Sequence, residues 1–270
     1  MTSTHQANRR IHAALADVYD TSEPHFRPEN QRKVKSRLVE IRRSSPGGRL
    51  LDIGCGTGFL LRLAADVFDD MVGLDITPEM LARAAAAAPS AELVLGSAEE
   101  IPFPDASFDA VSAYSFLDHL ADVPAVFRQM RRVLRPGGRA YIDLVPNRMY
   151  WRALSAVPAS DPLSDIVARE HRMVTANAQD VAARYGVDAD DFVAAEPGKR
   201  DGGMDHEEVA GWAADAGFAS CRVEFDWFLG QGAVLHGQGE ADAAVVDAYL
   251  RRAFPLTRHL FKYFWVVMEA

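Results

Sequence analysis

Three glycines at alternate positions, Gly54, Gly56 and Gly58, follow an apolar run carrying Asp52 and precede a second apolar run compatible with a helix. A strand, a tight glycine turn and a helix, in that order, present backbone N–H groups to a ligand at the carboxyl edge of a doubly wound sheet. Glycine suits the turn because the chain needs unusual dihedrals and because a Cβ would obstruct a ligand lying against the backbone. The spacing is GxGxG, where a dinucleotide site reads GxGxxG, and a plain strand–helix turn is the bland alternative. Asp75 ends the next apolar run, a place from which a carboxylate can accept hydrogen bonds from both hydroxyls of a ribose. Proton transfer near neutrality would fall to His119, in the word SFLDHL, or to His25 with Tyr19 near the amino terminus. The alternative for His119 is a histidine facing water or packed in the core. No CxxC, HExxH or tight cluster of His, Cys and acids occurs, so no metal site is expected.

These residues need a scaffold, and hydrophobic periodicity supplies one. Apolar strand-like runs at Arg49–Asp52, Met71–Asp75, Glu92–Leu95, Phe108–Ala113 and Arg139–Leu144 alternate with helical patterns. That alternation predicts an α/β fold, a doubly wound and mostly parallel sheet with helices on both faces. Val34, Leu38 and Ile41 predict an amphipathic helix before the first strand, whereas residues 1–28 show little periodicity. From Pro146 to about Met204 the rhythm breaks into short helices, Asp161–Thr175 and Ala178–Tyr185. It resumes with a helix over 205–217, strands Cys221–Phe228 and Tyr263–Met268, and a helix around Ala241–Ala253 between them. Four segments follow: an N-terminal helical lid over 1–48, a cofactor-binding core over 49–145, a cap over 146–204, and the C-terminal part of the core sheet over 205–270.

Composition sets outer limits. The 270 residues are 49% apolar and 25% charged, with a net charge of −9, ordinary for a soluble globular protein. Without basic runs to neutralise phosphates, a nucleic-acid partner is not expected. No apolar run is long enough for a membrane span, the first ten residues lack the apolar core of a signal peptide, and two cysteines far apart make no disulfide framework. The expectation is a cytoplasmic protein.

Five words, LLDIGCGTG, VGLDITPEML, AEEIPFPDASFD, AYSFLDHL and RRVLRPGGRAYI, lie between Arg49 and Leu144. Together they resemble the class I S-adenosylmethionine-dependent methyltransferases, in the small-molecule group similar to ubiquinone and menaquinone biosynthesis enzymes. The resemblance implies a seven-stranded Rossmann-like sheet, S-adenosyl-L-methionine as cofactor and S-adenosyl-L-homocysteine as product. It also implies a small-molecule acceptor in metabolite biosynthesis or tailoring, with O-methylation slightly preferred. The alternative is a protein of the same fold that catalyses a cyclisation or rearrangement without methyl transfer. By the same resemblance Asp75 holds the ribose, Asp52 approaches the cofactor's ammonium group, and Gly54, Cys55, Gly56 and Gly58 form the loop beneath it. Ile76 and Met80 would pack on the adenine, although plain core packing suits them nearly as well. Ser97 stands where such proteins often carry Asp, so its bond to the adenine amino group should be weaker. Ala98 would offer its backbone N–H, Glu99 would orient the loop, and Tyr114 would lie near the methyl group. Phe116, Tyr150 and Trp151 are candidates to wall the acceptor pocket.

Overall fold

The computed structural model describes residues 3–17, 19–22, 26–158, 163–176, 178–200 and 202–270. Three helices open the chain: α1 (Ser3–Leu15), α2 (Tyr19–Ser22) and α3 (Pro28–Ser44). The core follows as β1 (Arg49–Ile53), α4 (Phe59–Ala64), β2 (Asp70–Asp75), α5 (Pro78–Ala87), β3 (Glu92–Leu95), β4 (Phe108–Tyr114), α6 (Val123–Val133) and β5 (Leu134–Pro146). Five helices come next: α7 (Arg148–Ser155), α8 (Asp165–Thr175), α9 (Ala178–Tyr185), α10 (Ala189–Ala195) and α11 (Pro197–Arg200). The chain closes with α12 (His206–Asp215), β6 (Ser220–Phe228), α13 (Gln231–Gly237), α14 (Glu240–Arg252) and β7 (Phe261–Glu269).

The seven strands form one sheet in the order β3-β2-β1-β4-β5-β7-β6. β1 to β5 run parallel, and β7 lies antiparallel between β5 and β6. The order reverses between β1 and β4, so the crevice between their carboxyl ends is where a doubly wound sheet receives a ligand. Leu50, Leu51 and Ile53 of β1 are fully buried because helices cover both faces. On one face Val34, Leu38 and Ile41 of α3 pack with Leu60, Tyr141 and Trp265; on the other Val126, Phe127 and Met130 of α6 pack with Val111 and Ile142.

Two departures from the sequence reading have local causes. Residues 3–15 are helical, and the stripe Ala7, Ile11 and Leu15, spaced by four, packs against Ala195 and Phe192 of α10. The polar residues between hide that stripe, and its partner is an element of the cap. β5 begins at Leu134, so Arg135–Gly138 belongs to the strand, with a register shift where it leaves Phe108 for Ala110.

α3 is also pinned by charge. Arg37 is held between Asp143 of β5 (2.6 Å) and Asp226 of β6 (2.7 Å), and Lys33 reaches Asp226 at 2.6 Å. Burial pushes the Asp226 carboxyl up, but Lys33 and Arg37 more than offset this and hold it below the usual carboxylate range. Tyr141 donates its hydroxyl hydrogen bond to the same Asp143 oxygen that Arg37 contacts. The guanidinium plane also lies 4.3 Å from the centre of the Trp265 ring.

Candidate active site

The glycine turn follows β1 directly. Gly54, Gly56 and Gly58 all have positive φ, at 63°, 52° and 88°. At Gly56 an added Cβ would meet no protein atom within 4 Å, whereas at Gly58 it would lie 3.2 Å from Cα of Ala84 in α5. Gly56 therefore keeps space open beside the loop, and Gly58 lets two helices approach closely. The Cys55 N–H donates to the carbonyl of Leu74 (3.1 Å), and its buried side chain packs in the core between the loop and β2.

Asp75 ties the site together. One carboxylate oxygen accepts from the Gly56 N–H at 2.9 Å and the other from the Thr77 N–H at 2.8 Å. Its pKa is raised by burial, against the pull of the Gly56 and Thr77 hydrogen bonds. Above this carboxylate lies a cavity open to solvent, with about 700 Å³ of space that includes its open mouth. Gly54, Gly56, Asp75, Ile76, Met80, Ser97, Ala98, Tyr114 and His119 line it, as does Tyr19 from α2. Its walls are apolar at Leu74, Ile76, Met80 and Ala98 and polar around the carboxylate.

Four of the residues proposed from sequence for cofactor binding stand outside this lining. Asp52 is buried at the end of β1, where it accepts a hydrogen bond from Ser112 at 2.7 Å. Cys55 and Gly58 serve the packing described above. Glu99 lies 3.5 Å from His5, and its N–H donates to the Ser97 hydroxyl at 3.2 Å. Tyr150 is likewise outside the lining: it is buried and donates to Glu170 at 2.9 Å. Phe116 does line the cavity, while His25 lies outside the described residues.

Sequence reasoning missed the roof. His5, Asn8 and His12 of α1 line the cavity. Asn8 donates to the carbonyl of His119 at 3.0 Å, and Arg10 forms an ion pair with Asp191 of α10, so the lid and cap meet above the sheet. Rings of Tyr19, Phe26, Phe59 and Tyr114 make successive contacts, with centroids 6.4, 5.0 and 4.9 Å apart, from α2 down to the end of β4. Thr57 of the loop donates to Asp20 of α2 at 2.6 Å, a second tie between roof and floor. The nearest approach to a metal-ligand set among the described residues is Asp118, His119 and Glu196, whose candidate ligand atoms lie within 4.8 Å of one another.

The Asp52 carboxyl is pushed up to about 7, chiefly by burial; the Ser112 hydrogen bond opposes the shift and the neighbouring Asp75 charge adds to it. An acid whose pKa is higher in the folded than in the unfolded chain favours folding most fully below its unfolded value. That contribution is lost as pH rises through the folded value. Asp52→Asn should remove the fall in stability between pH about 4 and about 7, a difference of roughly 2–4 kcal/mol. Urea unfolding at the two pH values checks this; a variant with the wild-type slope would contradict the assignment.

Comparison with known proteins agrees with this fold. Residues 51–142 match the family described as methyltransferase domain. Malonyl-[acyl-carrier protein] O-methyltransferase of Serratia marcescens is 37% identical over 108 residues, covering 40% of this chain and 42% of that protein. Demethylmenaquinone methyltransferase of Symbiobacterium thermophilum is 35% identical over 140 residues, covering 48% of this chain and 56% of that protein. The match thus spans about half the length of these relatives. The crystal structure of an S-adenosylmethionine-dependent methyltransferase from Mesorhizobium loti superimposes with a TM-score of 0.55 at 20% identity, over 87% of this chain and 96% of that one. Among the described residues no helix is long and apolar enough to cross a membrane. Residues 51–142 thus match a methyltransferase domain, and the seven-stranded sheet has the fold of that S-adenosylmethionine-dependent methyltransferase from Mesorhizobium loti.

Proposed function

We propose that this protein transfers the methyl group of S-adenosylmethionine to a small organic acceptor, with oxygen the favoured nucleophile, in the biosynthesis or tailoring of a metabolite in the cytoplasm. The observation that carries this reading is the cavity at the switch point of the sheet, floored by an open glycine loop and a buried strand-end carboxylate. Its chemistry fits the cofactor: apolar walls suit a flat base, Asp75 suits ribose hydroxyls, and Gly56 leaves room for a chain lying on the loop. The two relatives above are named as methyltransferases, one of them acting on oxygen.

When bound, the cofactor supplies a methyl group already activated on a sulfonium. The protein's own contribution is then placement. Gly56 leaves the loop open, Gly54 admits the Phe116 ring against it, and Asp75 fixes it through Gly56 while facing the cavity. Leu74, Ile76, Met80 and Ala98 enclose an apolar ligand face. Tyr114 and Phe116, at the end of β4, and Tyr19 in the roof shape the acceptor's side of the cavity. α1 and α10 above exclude water. An oxygen acceptor is favoured because imidazoles and phenols border this space, where a hydroxyl must lose its proton.

The test is transfer of label from methyl-labelled S-adenosylmethionine to a panel of phenolic, enolic and carboxylic acceptors. Label on an acceptor oxygen is the expected result. A purified chain that converts an acceptor without incorporating label would replace this reading with the cyclisation or rearrangement chemistry.

A further inference from the structure

The carboxyl edge of the sheet carries a second cavity, apart from the one above the glycine loop. It opens between α3, the end of β6 and the helices α13 and α14, with about 840 Å³ of space that includes its open mouth. Asn30 of α3 lines it, and the Asn30 side-chain amide donates to the Tyr114 hydroxyl at 2.9 Å. Tyr114 lines the first cavity, so one hydrogen bond joins the walls of the two. Trp227 marks the second space as more than a gap between helices. It lines the cavity with a φ of 61°, a conformation that a bulky residue adopts only under constraint. Asp226 holds it there by accepting the Trp227 N–H at 2.9 Å, while the buried indole N–H meets no acceptor among the described residues. Backbone strain and an unmatched donor both cost stability, and they persist where a site requires the side chain.

Charge and hydrogen-bonding capacity narrow the ligand. The charged side chains on this wall already face opposite charges. Lys33 and Arg37 meet Asp226 at 2.6 and 2.7 Å, Arg251 meets Asp247 at 2.5 Å, and Glu240 pairs with Arg32 of α3. Glu29 lies 3.9 Å from His236. A charged ligand would have to compete with these pairs. A neutral polyol adds hydrogen bonds to them instead, because a carboxylate has about four lone-pair sites and Lys and Arg carry several N–H donors. Trp227 and Phe228 supply aromatic surface against which the C–H groups of a ring can pack. Many polar groups beside an indole suit a sugar. We propose that the second cavity binds a neutral sugar ring carried by the acceptor, whose reacting hydroxyl extends past Asn30 and Tyr114 into the first cavity. The acceptor half of this assignment rests on the methyl-transfer reading above. The site contributes binding alone and makes or breaks no bond.

Hydroquinone, its glucoside arbutin and its glucuronide test the assignment on the full chain, since they share one phenol and differ in the sugar and its charge. Calorimetric titration into the chain saturated with S-adenosylhomocysteine needs no turnover. Arbutin should bind about tenfold tighter than either of the others. Ala244 is exposed on α14 and lines the cavity, so Ala244→Phe should fill the space and weaken arbutin by about tenfold, with thermal unfolding showing that the fold stands. Trp227→Gly, which suits the positive φ and removes the indole, should lose arbutin to a similar extent. Arbutin that binds no tighter than hydroquinone, or as well to both variants as to wild type, overturns the sugar site, and a tighter glucuronide overturns its neutrality. Labelled S-adenosylmethionine then separates the two readings. Label on the arbutin phenol is expected. Arbutin bound but unlabelled while another acceptor is labelled overturns the link between the cavities. Arbutin bound with no acceptor labelled at all sinks the methyl-transfer reading and leaves the sugar site standing.

Discussion

Replacing Asp75 by alanine should weaken S-adenosylhomocysteine binding by about 1.5–3 kcal/mol, a loss of roughly tenfold to more than a hundredfold in affinity. Two effects add. The variant lacks the carboxylate proposed for the ribose hydroxyls, and it frees the N–H groups of Gly56 and Thr77 that this carboxylate holds at 2.9 and 2.8 Å. The second effect is specific to this geometry, because the acid also fixes the loop on which the ligand lies. Calorimetric titration reads the affinity, and thermal unfolding of the same sample establishes that the fold survives. Wild-type affinity in the variant would remove Asp75 from the site.

The largest effect on stability is expected at Arg37. Its guanidinium joins Asp143 and Asp226, both nearly fully buried, and Arg37→Met would leave Asp143 without its cation and Asp226 with Lys33 alone. Removing one partner from a buried ion network costs about 3–5 kcal/mol, because the remaining charges stay out of water unpaired. The pH dependence has a definite sign. The pKa of Asp226 is lower in the folded than in the unfolded chain, so its contribution is present above the usual carboxylate pKa and is lost as pH falls through the folded value. The penalty of Arg37→Met should therefore shrink in acid, where the Asp226 carboxylate can take up a proton. Urea unfolding at neutral and acid pH measures this. A loss below about 1 kcal/mol at neutral pH would mean that the network does not hold α3 to the sheet.

The sheet and the floor of the site were legible in the sequence because their signals are local. Three glycines with positive φ, an acid at the end of an apolar run and strands alternating with helices are each written within about thirty residues. The roof was not legible, because its contacts span the chain. His5 meets Ser97 and Glu99, Asn8 meets His119, and Arg10 meets Asp191, pairs whose members are 92 to 181 positions apart in sequence. The stripe Ala7, Ile11 and Leu15 is diluted by the polar residues between, and it becomes recognisable only when α10 is placed against it. Asp52 shows the opposite limit. The resemblance sets it near the cofactor's ammonium group, and nothing in the sequence signals that its carboxylate also accepts from Ser112 of the neighbouring strand.

Strain gathers at the same edge of the sheet. Ser115, just beyond β4, and Leu144 and Trp227, in the last three residues of β5 and β6, adopt φ of 50°, 58° and 61° without being glycine. Asp143 and Asp226 accept from the N–H groups of Leu144 and Trp227 at 2.7 and 2.9 Å, so the acids that hold Arg37 also brace two of these turns. Such conformations persist where surrounding contacts over-determine them, and they concentrate beside sites that must hold a fixed shape.

The central claim is that the space above the glycine loop receives the cofactor, and Gly56 tests it most directly. Its Cβ position is clear of protein atoms, and the residue lines the cavity, so Gly56→Val should insert a branched side chain into ligand space. The cost to folding should be limited to about 1–2 kcal/mol for a side chain at positive φ. Calorimetric titration of S-adenosylhomocysteine into wild type and variant, with unfolding followed on both, gives the answer. The account predicts saturable binding to wild type and loss of binding by a folded Gly56→Val; a folded variant that binds as tightly as wild type would contradict it.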